Sequence, residues 1–116
     1  MNQTETDARF VLIADADALA AWLPPDGLAL LYLDDPYCPI CRRAKREMSR
    51  LDEEIALLDV HAHPELADVV EELTGIRHES PQTIVLRDGA PIWSASHYAI
   101  RADAVLRAME RTTTAE

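Results

Sequence analysis

The sequence has no long apolar run. Runs such as Leu28 to Leu33, which none exceeds, are far too short to cross a bilayer. The start, Met1 to Asp7, is polar throughout, which argues against a secretory leader and for a cytoplasmic protein. Positive charge is scarce: 11 bases stand against 21 acids, a net charge of −10. A field of that sign repels nucleic acid and anionic membrane, so neither is an expected partner. Cysteine is scarcer still, with Cys38 and Cys41 alone. A secreted disulfide scaffold uses more cysteines, spread wider. There is no internal repeat and no linker, so 116 residues make one domain. The ends, 1–8 and 112–116, read as flexible tails around a domain over 9–111. A chain of this size buries about two-thirds of its unfolded surface and needs no staple to fold.

What is present is a pattern of alternating strands and helices. Arg9 to Ala14 reads as a short strand, and Asp15 or Asp17 caps a helix over Ala18 to Leu23. Pro24-Pro25-Asp26-Gly27 stops that helix. Leu28 to Asp34 is apolar at nearly every position, the mark of a central strand covered on both faces. Pro39 suits a first helical position, and the helix runs to about Leu51. Ile55 to His61 is a second buried strand. Pro64 to Leu73 is a helix with Leu66, Val69, Val70 and Leu73 inward, ended by Gly75. Pro81 to Arg87 and Ala90 to Ser94 form a hairpin around Asp88-Gly89. Ala102 to Met109 is a last helix with Val105, Leu106 and Met109 on one side. Trp22 and Trp93 read as core residues. The order β-α-β-α-β-α-β-β-α predicts an α/β fold with a central mixed sheet flanked by helices. Its early strands are parallel and its last hairpin antiparallel. A C-x-x-C at the end of the second strand is where a thioredoxin-like fold carries its redox motif.

That motif carries the chemistry. Cys38 falls at a helix N-terminus, where unpaired N–H groups and the helix dipole favour a thiolate. Cys41 lies one turn further on the same face, within reach of a disulfide. Arg42 and Arg43 add positive potential, and Arg42, Arg43, Lys45, Arg46 and Arg50 crowd into nine residues. Such a cluster is either a solvated helix face or a site for an anionic thiol. Asp34 and Asp35 oppose the thiolate, but a solvent-facing orientation weakens them. Zinc needs four ligands, and His61, His63, His78 and His97 lack the paired spacing, so no metal is expected. His61 and His63 end a strand near the site, with a solvated strand end as the plainer reading. Tyr37 is either an exposed aromatic lip or loop packing. Pro81, 43 residues after Cys38, opens a strand. Spacing alone leaves its preceding bond open between cis and trans.

With these residues in place, the chain resembles the thioredoxin-like monothiol bacilliredoxins. The matching pieces are Cys38-Pro39-Ile40, then Gly75-Ile76-Arg77-His78-Glu79-Ser80-Pro81-Gln82. Arg87-Asp88-Gly89 and Trp93-Ser94-Ala95-Ser96-His97-Tyr98 follow, so that similarity spans roughly residues 9 to 110. The resemblance implies a thioredoxin fold, a cis bond before Pro81 and Cys38 as nucleophile. It implies removal of bacillithiol, a small thiol carrying glucosamine and malate, from S-bacillithiolated proteins. Bacillithiol is then a thiol co-substrate, and no cofactor is tightly bound. The resemblance also suggests that His78, Ser80 and His97 shape the site, and the expected binding residues are then Tyr37, Pro39, Ile40, Arg42, His78, Ser80, Pro81 and His97. Implied partners are bacillithiolated or oxidised client proteins and a disulfide reductase, with the chain itself a monomer. Three positions depart from the family pattern. Cys41 replaces the usual serine. Asp34, Asp35 and Pro36 replace basic and hydroxyl residues. Arg101 replaces the threonine that usually caps the last helix. Cys41 keeps two other readings in play: a general dithiol reductase, and a non-catalytic thiol sensor.

Overall fold

The computed structural model describes residues 9–23 and 26–114. The predicted element order holds. The elements are β1 (Phe10–Leu12), α1 (Ala16–Trp22), β2 (Leu28–Asp34), α2 (Pro39–Met48) and β3 (Ile55–Asp59). They continue with α3 (Pro64–Thr74), β4 (Gln82–Arg87), β5 (Ala90–Ser96) and α4 (Ala102–Thr114), with a 3-10 turn at His97–Ala99 before α4. The five strands form one sheet in the order β1-β3-β2-β4-β5. β1, β3 and β2 are parallel to their neighbours, while β4 runs antiparallel to β2 and β5 antiparallel to β4. This is the mixed sheet that the sequence pattern predicts. Among the described residues, no helix is long and apolar enough to cross a membrane.

β2 lies at the centre, and its side chains alternate between two cores. Leu30 and Tyr32 face one core with Ala44 and Met48 of α2 and Val105, Ala108 and Met109 of α4. Leu31 and Leu33 face the other, with Leu19 of α1 and Leu66 and Val70 of α3. β3 splits the same way, Ile55 and Leu57 against Ala56 and Leu58. A strand covered on both faces reads as a continuous apolar run for this reason. Trp93 packs against the first core and Trp22 against the second, where the Trp22 indole N–H donates to the Leu30 carbonyl at 2.9 Å.

Several boundaries differ from the sequence reading, each for a local reason. β1 ends at Leu12 because Asp15 caps α1, its Oδ1 accepting the Ala18 N–H at 2.8 Å. Pro24 and Pro25 lie outside the described residues, as does the segment 1–8. β3 stops at Asp59, short of His61. The Asp59 carboxylate accepts the N–H groups of His61 and Ala62, at 2.9 and 3.0 Å, and turns the chain out of the sheet. Leu73 is exposed, because α3 buries Leu66, Ala67 and Val70 and its last turn ends at Gly75 with φ 72°. Leu106 is exposed too, since the inward stripe of α4 runs through Ala102, Val105, Ala108 and Met109. α4 continues to Thr114 and so takes in the threonine run assigned from sequence to the tail.

The start of α4 shows what replaces its missing threonine. Glu47 of α2 reaches across, and its Oε1 accepts the Ala102 N–H at 2.8 Å. This long-range cap satisfies one of the open donors at the helix start. It also holds Glu47 below the usual carboxylate range.

Candidate active site

The site sits where β2 ends and α2 begins. Asp35, Pro36 and Tyr37 make the turn between them. The Cys38 N–H donates to the Asp35 carbonyl at 3.0 Å, and the Tyr37 N–H to the Asp35 carboxylate at 3.0 Å. Cys38 is the N-cap residue of α2, with Pro39 in the first helical position. Cys38 is half-buried, and no side chain occupies the cap hydrogen bond. Its sulfur therefore lies at the helix end where backbone donors and the macrodipole favour negative charge.

Cys41 is a different kind of thiol. It is 1% exposed and lies one turn into α2. Its sulfur accepts the Asp35 N–H at 3.3 Å. Burial pushes its pKa up to about 12, reinforced by a hydrogen bond to Cys38 and by the nearby Asp34 charge, against the Asp35 N–H. Both cysteines are reduced. A half-open sulfur at a helix end beside a buried, protonated one is an arrangement suited to thiol–disulfide exchange.

One of the two acids is not where the sequence reading placed it. Asp34 does not face solvent; it is 8% exposed. The two-residue period of β2 puts it on the face of Tyr32, against α2. The Tyr32 hydroxyl lies 3.0 Å from Asp34 Oδ1 and 3.0 Å from the Cys41 carbonyl oxygen. Burial raises the Asp34 pKa, while Tyr32 and Lys45 pull it back down. Burial beside Asp34 also holds the Tyr32 phenol fully protonated. Asp34, Asp35, Pro36, both cysteines, Arg42 and Lys45 line one open cavity of about 190 Å³.

Of the basic cluster, Arg42 and Lys45 face this cavity. Lys45 also lies 5.5 Å from the Phe10 ring, and Arg43 lies 5.4 Å from the Tyr98 ring. Arg50 pairs with Glu47 at 3.4 Å. Arg46 is exposed and does not line the cavity. Tyr37 is 76% exposed, and its ring meets His61 with centroids 4.5 Å apart, so His61 belongs to the rim of the site after all. Pro39 is exposed and Ile40 half-buried in the first turn of α2.

The loop before β4 comes to the same end of the sheet, since Gln82 pairs with Leu33 of β2. The Ser80–Pro81 peptide is cis. Ser80 is half-buried and Pro81 buried. The His97 N–H donates to the Pro81 carbonyl at 3.0 Å, which fastens the 3-10 turn to this loop. His97 has φ 56°, and its ring lies 3.5 Å from Glu79. The structure turns His78 toward α3, with Nδ1 2.8 Å from Glu71 and 4.0 Å from Asp68. These three groups bring possible metal-ligating atoms within 4.8 Å of one another, in an arrangement that the His78–Glu71 hydrogen bond already accounts for. Buried Gln82 braces the loop, donating to the Arg77 carbonyl at 3.0 Å and accepting the Glu79 N–H at 3.2 Å. The site residues assigned from sequence leave out Tyr32, Asp34, Lys45 and His61, although Asp34, Lys45 and His61 are weighed there as neighbours of the motif. The one available signal was the i, i+2 relation of Tyr32 and Asp34 on a strand buried on both faces.

The family model for the monothiol bacilliredoxin BrxC matches residues 22–105. The chain belongs to the monothiol bacilliredoxin family. The matched span contains both cysteines, the cis-proline loop and the 3-10 turn. This bacilliredoxin is therefore a thiol oxidoreductase in the broad sense. No curated protein matches its sequence. Solved structures that resemble it include a protein described only as an oxidoreductase with a thioredoxin fold. The TM-score is 0.84 and the identity 20%, over 89% of this chain and 96% of that one. Thioredoxin from Trypanosoma brucei brucei follows at TM-score 0.69 and 16% identity, over 92% of each chain. Fasciola hepatica thioredoxin gives 0.68 and 18%, over 86% of this chain and 96% of that one. These likenesses show the thioredoxin fold.

Proposed function

We propose that this bacilliredoxin removes bacillithiol from S-bacillithiolated proteins in the cytoplasm. The Cys38 thiolate attacks the bacillithiol sulfur of the mixed disulfide. The client leaves as a free thiol, and Cys38 holds bacillithiol. Cys41 or a second thiol then releases it, and a disulfide reductase restores the protein. Bacillithiol is a co-substrate rather than a resident cofactor, and the working unit is a monomer. One observation carries the reading: in a chain of this family, half-exposed Cys38 caps α2 beside a cavity that Arg42 lines. Arg42 supports it by offering a cation to the malate carboxylates. Tyr37 and Ile40 on one side, and Ser80, Pro81 and His97 on the other, form the walls between which the client lies.

A second reading is a general dithiol reductase for ordinary protein disulfides. Cys41 favours it, since the cysteine stands within hydrogen-bonding reach of Cys38. The two are separated by offering one client protein in bacillithiolated and in glutathionylated form. Release from the bacillithiol adduct is expected to be faster by about tenfold, equivalent to roughly 1.4 kcal/mol of discrimination. Equal rates would replace the first reading with the second.

A further inference from the structure

Asp34 is a buried acid of the site. Its carboxylate lines the cavity that holds both sulfurs. Tyr32 fixes it, and through the Cys41 carbonyl the same hydroxyl fixes the turn of α2 that carries Cys41. The groups around Asp34 are Tyr32 on β2, Asp59 on β3, Lys45, Arg42 and Cys41 on α2, and Asp35 and Cys38 at the turn. Asp35 is already committed, its carboxylate to the Tyr37 N–H and its own N–H to the Cys41 sulfur.

We propose that Asp34 accepts the Cys41 proton when Cys41 resolves a mixed disulfide on Cys38. This rests on reading Cys38 as the exchanging nucleophile. In the step, Cys41 S–H gives its proton to the Asp34 carboxylate through a water in the cavity, whose volume exceeds the ~30 Å³ share of one water. The Cys41 sulfur donates its electron pair to the Cys38 sulfur. The bond between Cys38 and the bound thiol breaks, and that thiol leaves as a thiolate and takes a proton from solvent. The cysteines end oxidised to a disulfide, the departing thiol ends reduced, and Asp34 later returns its proton to solvent.

The electrostatics suit this transfer. Creating a new charge in a buried site is costly, whereas moving one is cheaper. Here one negative charge moves from Asp34 to the Cys41 sulfur, where the Asp35 N–H receives it at 3.3 Å. Two influences that raise the Cys41 pKa in the reduced protein, the Cys38 hydrogen bond and the Cys38 charge, disappear once Cys38 is in a mixed disulfide. A third, the Asp34 charge, disappears as Asp34 takes the proton.

The test uses the full chain and a chromogenic bis(nitrobenzoate) disulfide in stopped flow. A first burst of coloured thiolate reports attack by Cys38, and a second reports resolution by Cys41; Cys41→Ser identifies the second by removing it. Asp34→Asn is expected to lower the ratio of second-phase to first-phase rate by at least about tenfold at neutral pH. The slowed phase then gains about tenfold per pH unit, since solvent must ionise Cys41. In the unaltered protein, which needs no variant to fold, the second phase levels off once Asp34 is ionised. An unchanged ratio in Asp34→Asn overturns the proposal, as does a second phase that keeps climbing through the alkaline range in the unaltered protein. The probe contains no bacillithiol. Failure on bacillithiolated clients with an Asp34-dependent second phase therefore removes only the substrate reading.

Discussion

The hydroxyl of Tyr32 lies 3.0 Å from the backbone carbonyl oxygen of Cys41, so the central strand grips the turn of α2 that carries the second thiol. The grip is possible because Tyr32 is completely buried and points to the α2 side of the sheet. It fixes Cys41 under Cys38 and gives the two sulfurs different environments.

That difference predicts their reactivity. Cys41 is buried, and its pKa of about 12 leaves it protonated at physiological pH, with thiolate gained only as pH approaches that value. Alkylation of the native reduced protein near neutral pH is expected to give a single adduct on Cys38. Unfolding in denaturant should yield two. Intact-mass measurement before and after denaturation checks this; rapid double alkylation of the folded protein would contradict the buried placement of Cys41.

Arg42 supplies the second prediction. It is the arginine that lines the cavity beside Cys38, and it is exposed, so a charge pair with a substrate carboxylate contributes at most about 1 kcal/mol. Arg42→Ala is expected to raise KM for a bacillithiolated client by up to about fivefold with little change in kcat. Arg46→Ala, altering an arginine outside the cavity lining, should leave KM nearly unchanged. Steady-state kinetics of the two variants decides this, and equal effects from both would remove Arg42 from the binding site.

Much of this was legible in the sequence, and the exceptions share one cause. Strand order follows from helices between early strands and an Asp-Gly hairpin at the end. Cys38 at a helix start follows from Pro39. The misplaced features depend on contacts between segments distant in sequence or on which way a turn throws a side chain. Asp34 reads as a solvated strand end until α2 covers it. His61 reads as strand until Asp59 captures its N–H, and the same turn delivers its ring to Tyr37. The cap of α4 comes from Glu47, 55 residues away, and nothing local to Ala102 announces it.

That cap gives a stability prediction. Glu47→Ala removes the acceptor at the start of α4 and is expected to cost ~1 kcal/mol, seen as a lower urea midpoint with an unchanged slope. Glu47→Gln keeps an acceptor and should lose less. The folded-state pKa of Glu47 lies below its ordinary value of 4.5. Its ionic contribution is therefore present above that value and fades as pH falls through the lower folded value. The gap between wild type and Glu47→Gln should be widest near neutral pH and close in acid. A gap that widens in acid would contradict the assignment.

The most direct test of the central claim is a single-turnover reaction of Cys41→Ser with a bacillithiolated client, read by intact mass. With Cys41 replaced, an adduct on Cys38 has no internal route of release. The account predicts that the client returns as a free thiol and the variant gains one bacillithiol, on Cys38. A client that keeps its bacillithiol, or a variant linked to the client protein instead, would contradict it.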